Sequence, residues 1–161
     1  MIQQRVHQFF QAGRRPTPED FELAEEWLSP TLFELFVGQH PRDVVHSVSL
    51  ARWLLEQGHR EPDLVVAALV HDIGKGNQRR ADRVAYVMAQ WARSDGFAGD
   101  HGSRFEIRRA IARSANHSER GAALLSLADA PPVVIELTRL HHSKTKGDAM
   151  LDLLQKADSL A

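Results

Sequence analysis

Apolar residues recur at intervals of three and four along most of this chain, and alternating β-branched runs are few. That pattern predicts helices nearly throughout and an all-α fold. Thr17-Pro18-Glu19-Asp20 reads as an N-cap, a proline in the first turn and acids beside the positive end of a helix dipole, opening a helix through Trp27 and Leu28. Ser29-Pro30 starts a second, short helix. Pro41 and Asp43 open a third that stops at Gly58, and Pro62-Asp63 a fourth expected to end at Gly74, since glycine tolerates the left-handed backbone that closes helices. Further helices are predicted within 79–93 and 104–115, on either side of the glycine-rich loop 95–100, and then over 117–127, 132–142 and 148–161.

The polar residues that interrupt the apolar stripes carry the chemistry. In Leu69-Val70-His71-Asp72-Ile73-Gly74-Lys75-Gly76 an imidazole and a carboxylate stand where a buried stripe gives way to a glycine turn. A carboxylate there needs a cation or hydrogen-bond donors. His46 is in register with Leu50, Trp53 and Leu54; His71 with Leu64, Ala67 and Ala68; His117 with Gly121, Leu124 and Ala128. His141 follows Leu137 by one turn, and Asp158 follows Leu151 and Leu154. Five predicted helices therefore aim a His or Asp at the core. One histidine on such a face is more often a satisfied core residue than a ligand. Four imidazoles and two carboxylates together leave a polar load that a bound cation would satisfy. The mixed nitrogen and oxygen set suits first-row divalent metals, in one centre or two.

Composition narrows the field. The 161 residues suit a single domain spanning 1–161, with a metal-binding core from about residue 42 and helices in 1–40 as an N-terminal extension that covers the core or meets a second copy. Lys plus Arg number 20 against 21 Asp plus Glu, so a long nucleic acid is not an expected partner, and the balance leaves a small phosphate ester open. The absence of cysteine excludes disulfides, thiolate zinc sites and a cysteine nucleophile. No apolar run reaches the length of a signal peptide or membrane span, so a cytoplasmic protein that does not engage membranes, monomeric or homodimeric, is expected.

The remaining polar residues divide less sharply. His7, His40 and His59 fall in terminal or turn sequence, and His101 in Gly99-Asp100-His101-Gly102 is a weak substitute for His117. His142 adjoins His141 but lies about 100° around the expected helix from it, which assigns it to a position behind the ligands or facing substrate. Lys75 is either a solvated cation at a helix end or a phosphate-binding group at the mouth of a metal site. Between Gly76 and Asn116 stand eight arginines, at 79, 80, 83, 93, 104, 108, 109 and 113, against Asp82, Asp95, Asp100 and Glu106. A solvated face is the simpler reading of that excess. The sharper one has Arg79 or Arg80 steering an anionic substrate, with Lys144 and Lys146 at the rim.

The ordered set His46, His71-Asp72, His117, His141, Asp158, with Ala67-Ala68-Leu69-Val70 before the pair and Ile73-Gly74-Lys75 after it, resembles the HD superfamily of metal-dependent phosphohydrolases from about residue 42 to the end. The resemblance implies an all-helical HD-domain bundle. It implies one metal held by His46, His71, Asp72 and Asp158, with Asp72 bridging to a second held by His117 and His141. Iron or manganese is then expected ahead of zinc, magnesium, nickel or cobalt, because six-coordination with imidazole, carboxylate and water suits them. The Gly-Tyr-Pro signature of cyclic-di-GMP phosphodiesterases is absent, since His141-His142 leads into Ser143-Lys144-Thr145-Lys146-Gly147. The Glu-Asp that alarmone hydrolases place after the pair is absent too. Lys75 stands where monophosphate nucleotidases of the fold carry an acid.

In size and spacing the chain is similar to the small bacterial branch that includes symmetrical diadenosine-tetraphosphate hydrolases. It differs in a longer stretch between Asp72 and His117 and in having His142 where that branch commonly has threonine. The activity so implied is hydrolysis of a phosphoester or phosphoanhydride of a nucleotide-like small molecule. Asp72 and Lys75 are the expected catalytic residues, and Lys75, Arg79, His142 and Lys144 the candidate substrate contacts. A regulatory module that binds metal or nucleotide without turnover is the alternative, and a di-iron oxygenase on the same scaffold a third.

Overall fold

The computed structural model describes residues 14–76 and 116–161. The helices expected within 79–93 and 104–115, together with Arg79, Arg80, His7 and His101, lie outside the described residues. Among the described residues there are seven α-helices and no strand, so the fold is all-α as the periodicity predicts: α1 (Pro18–Trp27), α2 (Pro30–Val37), α3 (Pro41–Glu56), α4 (Pro62–Val70), α5 (His117–Leu127), α6 (Pro132–Leu140) and α7 (Ala149–Leu160). None is long and apolar enough to cross a membrane.

Local chemistry sets the helix starts. Proline occupies the first turn of α1, α2, α3, α4 and α6, where its missing N–H costs nothing. Caps satisfy other first-turn donors: Ser29 Oγ accepts from Leu32 N at 3.3 Å, Asn116 Oδ1 from Ser118 N at 3.0 Å and Asp148 Oδ1 from Leu151 N at 2.9 Å. Gly58, at φ +87°, closes α3 in the left-handed region as expected.

Two helices end earlier than expected. The fourth stops at Val70, not Gly74: His71 N still donates to Ala67 O at 2.8 Å, but Asp72, at φ −100° and ψ 4°, leaves the helical path for a tight turn over Ile73–Lys75. α6 stops at Leu140, not His142, with His141 as its cap. Gly74 is therefore not a helix terminator. A Cβ there would stand 1.9 Å from His117 O and 2.6 Å from Gly121 N, so the missing side chain is what lets α5 lie against the turn.

α4 is apolar on every side and every residue from Leu64 to Val70 is buried, which makes it the axis around which the other helices pack. α3, α6 and α7 contact it, and α5 packs on α6 and on the turn that follows α4. Leu50, Leu54, Leu64, Leu69, Leu125, Leu151 and Leu154 fill the interior, each contributing about 1.5–3 kcal/mol relative to exposure. α1 and α2 lie over α4, with Phe36 between Phe21 and Phe33, so these N-terminal helices cover the core. Buried Asp20 pins α1 to α3: it accepts from Thr17 N at 2.9 Å and pairs with Arg52 at 2.9 Å and Arg14 at 3.4 Å.

Candidate metal centre

The six candidate ligands, His46, His71, Asp72, His117, His141 and Asp158, gather where α3, α4, α5, α6 and α7 converge. His71 and His141 arrive by the same local device. Each is the residue after the last helical turn, and each ring Nδ1 donates to the carbonyl three residues back, Ala68 O at 2.9 Å and Thr138 O at 2.6 Å. A histidine there satisfies an orphan helix-end carbonyl with one nitrogen and turns the other toward the interior. Both Nε2 atoms are buried without a hydrogen-bond partner, and so is Asp72 Oδ1.

Around these three atoms lie two groups that share Asp72. The carboxylate oxygen Oδ1 faces His117 Nε2 at 3.6 Å and His141 Nε2 at 3.7 Å, while Oδ2 faces His71 Nε2 at 3.5 Å. His46 Nε2 pairs with Asp158 Oδ1 at 2.9 Å, and that oxygen lies 3.7 Å from His71 Nε2. One set of ligand atoms is thus His46, His71 and Asp72, with Asp158 alongside; the other is Asp72, His117, His141 and His142. Linked edge-to-face ring contacts run from His46 through His71 to His141 and on to His117. The structure brings together all six residues that the sequence singles out as ligands.

His142 is the residue whose placement differs from expectation. The 100° offset assumes a helix that continues through it, but α6 has ended at Leu140, and the turn lays the His142 ring 4.0 Å from that of His141. Its Nε2 comes within 3.0 Å of His117 Nε2. Neighbouring ligands at right angles on bonds of about 2.1 Å stand about 3.0 Å apart, so this spacing fits two nitrogens on one ion. The orphaned buried atoms and the donor types agree with it. The residues present fit divalent metal.

Burial and neighbouring charge shift four of these groups, two carboxyls and two imidazoles. Burial opposes charge on Asp72, but His141, His71 and the Lys75 ammonium outweigh it and hold the carboxyl far below the usual range. Burial likewise opposes charge on Asp158, and its contacts with His46 and His71 reverse the balance and lower it. His117 is lowered to about 4 by burial first, reinforced by Lys75, His141 and His142 against the pull of Asp72, so at neutral pH its imidazole is neutral. His142 is lowered for the same leading reason, burial, and by His141 next to it.

Lys75 stands at the mouth, two-fifths exposed, with Nζ 2.5 Å from Asp72 Oδ2. Lys144 is exposed on the loop after His142, and no contact among the described residues draws it into the cluster. Lys146 turns away to Gln155 and Asp152. Two residues that sequence reasoning passed over hold the ligand-bearing turns. Arg120 donates to Gly74 O at 3.0 Å, and Gln155 donates to Ser143 O at 2.9 Å and Leu140 O at 3.4 Å. Their bonds go to main-chain carbonyls, which leave no mark in a sequence.

Against known proteins, a family model described as HD domain matches residues 38–161. No curated protein and no solved structure matches the chain.

Proposed function

The chain belongs to the HD domain family, and on that premise we propose that it is a metal-dependent phosphohydrolase working through two cations held on either side of Asp72. The observation that carries this reading is the division of labour at that carboxylate, with Oδ2 toward His71 and Oδ1 toward His117 and His141. His46, His71, Asp72 and Asp158 would hold one ion, and Asp72, His117, His141 and His142 the other. Iron or manganese fits this donor set best. What two such cations supply is a hydroxide nucleophile at neutral pH and neutralisation of charge on phosphate oxygens.

The chain's own residues supply the rest. The Nδ1 bonds of His71 and His141 to Ala68 O and Thr138 O fix the rings, so the site is preorganised before substrate arrives. Lys75, partly exposed beside Asp72, is placed to hold a phosphate oxygen and offset charge as the ester bond breaks. With Lys144 nearby in sequence and a near-neutral chain overall, the substrate we propose is a small phosphorylated molecule of nucleotide type, with symmetrical dinucleoside polyphosphates the first to try.

The test is a panel of nucleotides, dinucleoside polyphosphates, cyclic dinucleotides and generic phosphodiesters, assayed with protein loaded with manganese or ferrous iron. Turnover of at least one, lost on chelation, is expected. Hydrolysis of none overturns the reading, and tight nucleotide binding without turnover would replace it with a regulatory module.

A further inference from the structure

We propose that Gln155 is a positioning residue for the second cation, clamping the turn that carries His141 and His142. This rests on the two-cation reading above and extends it to a residue outside the ligand set.

The turn needs a clamp because it carries two ligand atoms on a chain that has just left its helix. α6 ends at Leu140, and from there to Asp148 the backbone is irregular. Helix-end carbonyls lack intrahelical partners. His141 Nδ1 satisfies Thr138 O, and Ser143 N donates to Leu140 O at 2.7 Å. Gln155 reaches across from α7 and donates from its one amide nitrogen to the carbonyls of Leu140 and Ser143, the residues that bracket His141-His142. Its amide oxygen accepts from Lys146 Nζ at 3.1 Å. Carbonyls on one side and an ammonium on the other allow only one orientation of the amide.

The clamp also has a direction. Gln155 lies one helical turn before Asp158 on α7, and Asp158 belongs to the first group through His46 and His71. A single helix thus gives a ligand to one ion and fixes the backbone beneath two ligands of the other. Loss of the amide donors leaves His46, His71, Asp72 and Asp158 untouched and frees only the turn. Partners of this kind, which orient ligands without touching metal, typically change affinity by about 10–100-fold.

Gln155→Glu tests this, because it keeps the size and the acceptor for Lys146 but replaces the donors with oxygen. The readouts are Mn²⁺ binding by equilibrium dialysis and the electron paramagnetic resonance of the bound ions, which reports a coupled pair. The wild type is expected to take up two ions with a coupled spectrum. Gln155→Glu is expected to keep one at unchanged affinity, to bind the other about 10–100-fold more weakly, and to lose the coupled signal at matched loading. Lys146→Met, which removes the ammonium's contacts with the amide oxygen and with Asp152 and leaves both carbonyl bonds in place, should retain both ions. Should Gln155→Glu fail to fold, Gln155→Met takes its place with the same expectation.

Two ions with wild-type affinities and coupling in the Gln155 variant overturn the clamp alone. Equal weakening of both ions also overturns it, because that is the behaviour of a merely structural residue. A wild-type protein that binds no Mn²⁺ overturns the two-cation reading and the clamp with it.

Discussion

Asp72 and Lys75 stand three residues apart on one tight turn, and the chemistry proposed for each can be removed separately. The ammonium lies at the edge of the cluster and is not among its ligand atoms. As a merely solvated helix-end cation, Lys75 would contribute only about 0.3–1 kcal/mol to stability and nothing to turnover. As a phosphate ligand that strengthens in the transition state, Lys75→Ala should keep fold and metal and lose about a hundredfold in kcat/KM, about 2.7 kcal/mol. Steady-state kinetics on any substrate the parent cleaves decides between them, and unchanged kcat/KM returns Lys75 to the surface. His117 offers the complementary experiment: its Nε2 belongs to the group on the Oδ1 side of Asp72, so His117→Ala should lower metal content from about two ions to one. Elemental analysis reads this directly, and retention of both ions would remove His117 from the ligand set.

At this scale the sequence was informative because metal ligands are rare residue types on apolar stripes. His46, His71, His117, His141 and Asp158 could each be found by register, and the structure brings them together around Asp72. For His142 register gives less, because it stops applying at a helix end and nothing in the neighbouring residues marks that α6 ends two residues before it.

At the scale of elements, two glycines set how closely the Ile73–Lys75 turn, α5 and α6 approach one another. Gly74 sits against the first turn of α5, and Gly121, one turn further along, has Thr138 Cγ2 3.1 Å and Gly74 N 3.5 Å from where its Cβ would be. The turn, α5 and α6 meet at these two positions, and their closeness puts His117 within reach of Asp72. Gly74→Ala drives a methyl into the backbone of α5, which a rigid interior does not accommodate, so destabilisation by about 3 kcal/mol or more is expected in chemical denaturation. An unchanged midpoint and slope would show that α5 can shift without cost. Helix starts were legible from proline and cap residues, as at Thr17-Pro18 and Ser29-Pro30. The role of Gly74 was not: glycine at the end of an apolar run reads as a terminator, and only the packing of α5 shows the other reason. Arg120 and Gln155 read as ordinary polar positions for the same cause, since their partners are carbonyls supplied by folding.

On the scale of the whole molecule, the proposed metal ligands come from α3, the end of α4, α5, the end of α6 and α7, so bound cations would tie together most of the described helices. Cations that bind the folded chain alone stabilise it by mass action, by about 2.7 kcal/mol at a hundred times the dissociation constant. Thermal unfolding with Mn²⁺ is expected several degrees above that with a chelator, and equal midpoints would show that folding and metal are uncoupled. Removing core volume should do something different. Leu54→Ala, deep in α3, is expected to lower stability by about 2–5 kcal/mol while leaving the ratio of metal to protein unchanged. The all-α architecture was legible from a period near 3.6, whereas the packing of five helix ends about one carboxylate became visible only in three dimensions.

Both proposed ions share one residue, and the most direct test of the account is the metal content of Asp72→Ala measured beside the wild type after reconstitution with Mn²⁺ and removal of excess. Because each carboxylate oxygen faces a different group of imidazoles, the expected fall is from about two ions per chain to none, a larger loss than any single histidine substitution produces. Metal content unchanged in Asp72→Ala would contradict the centre as described.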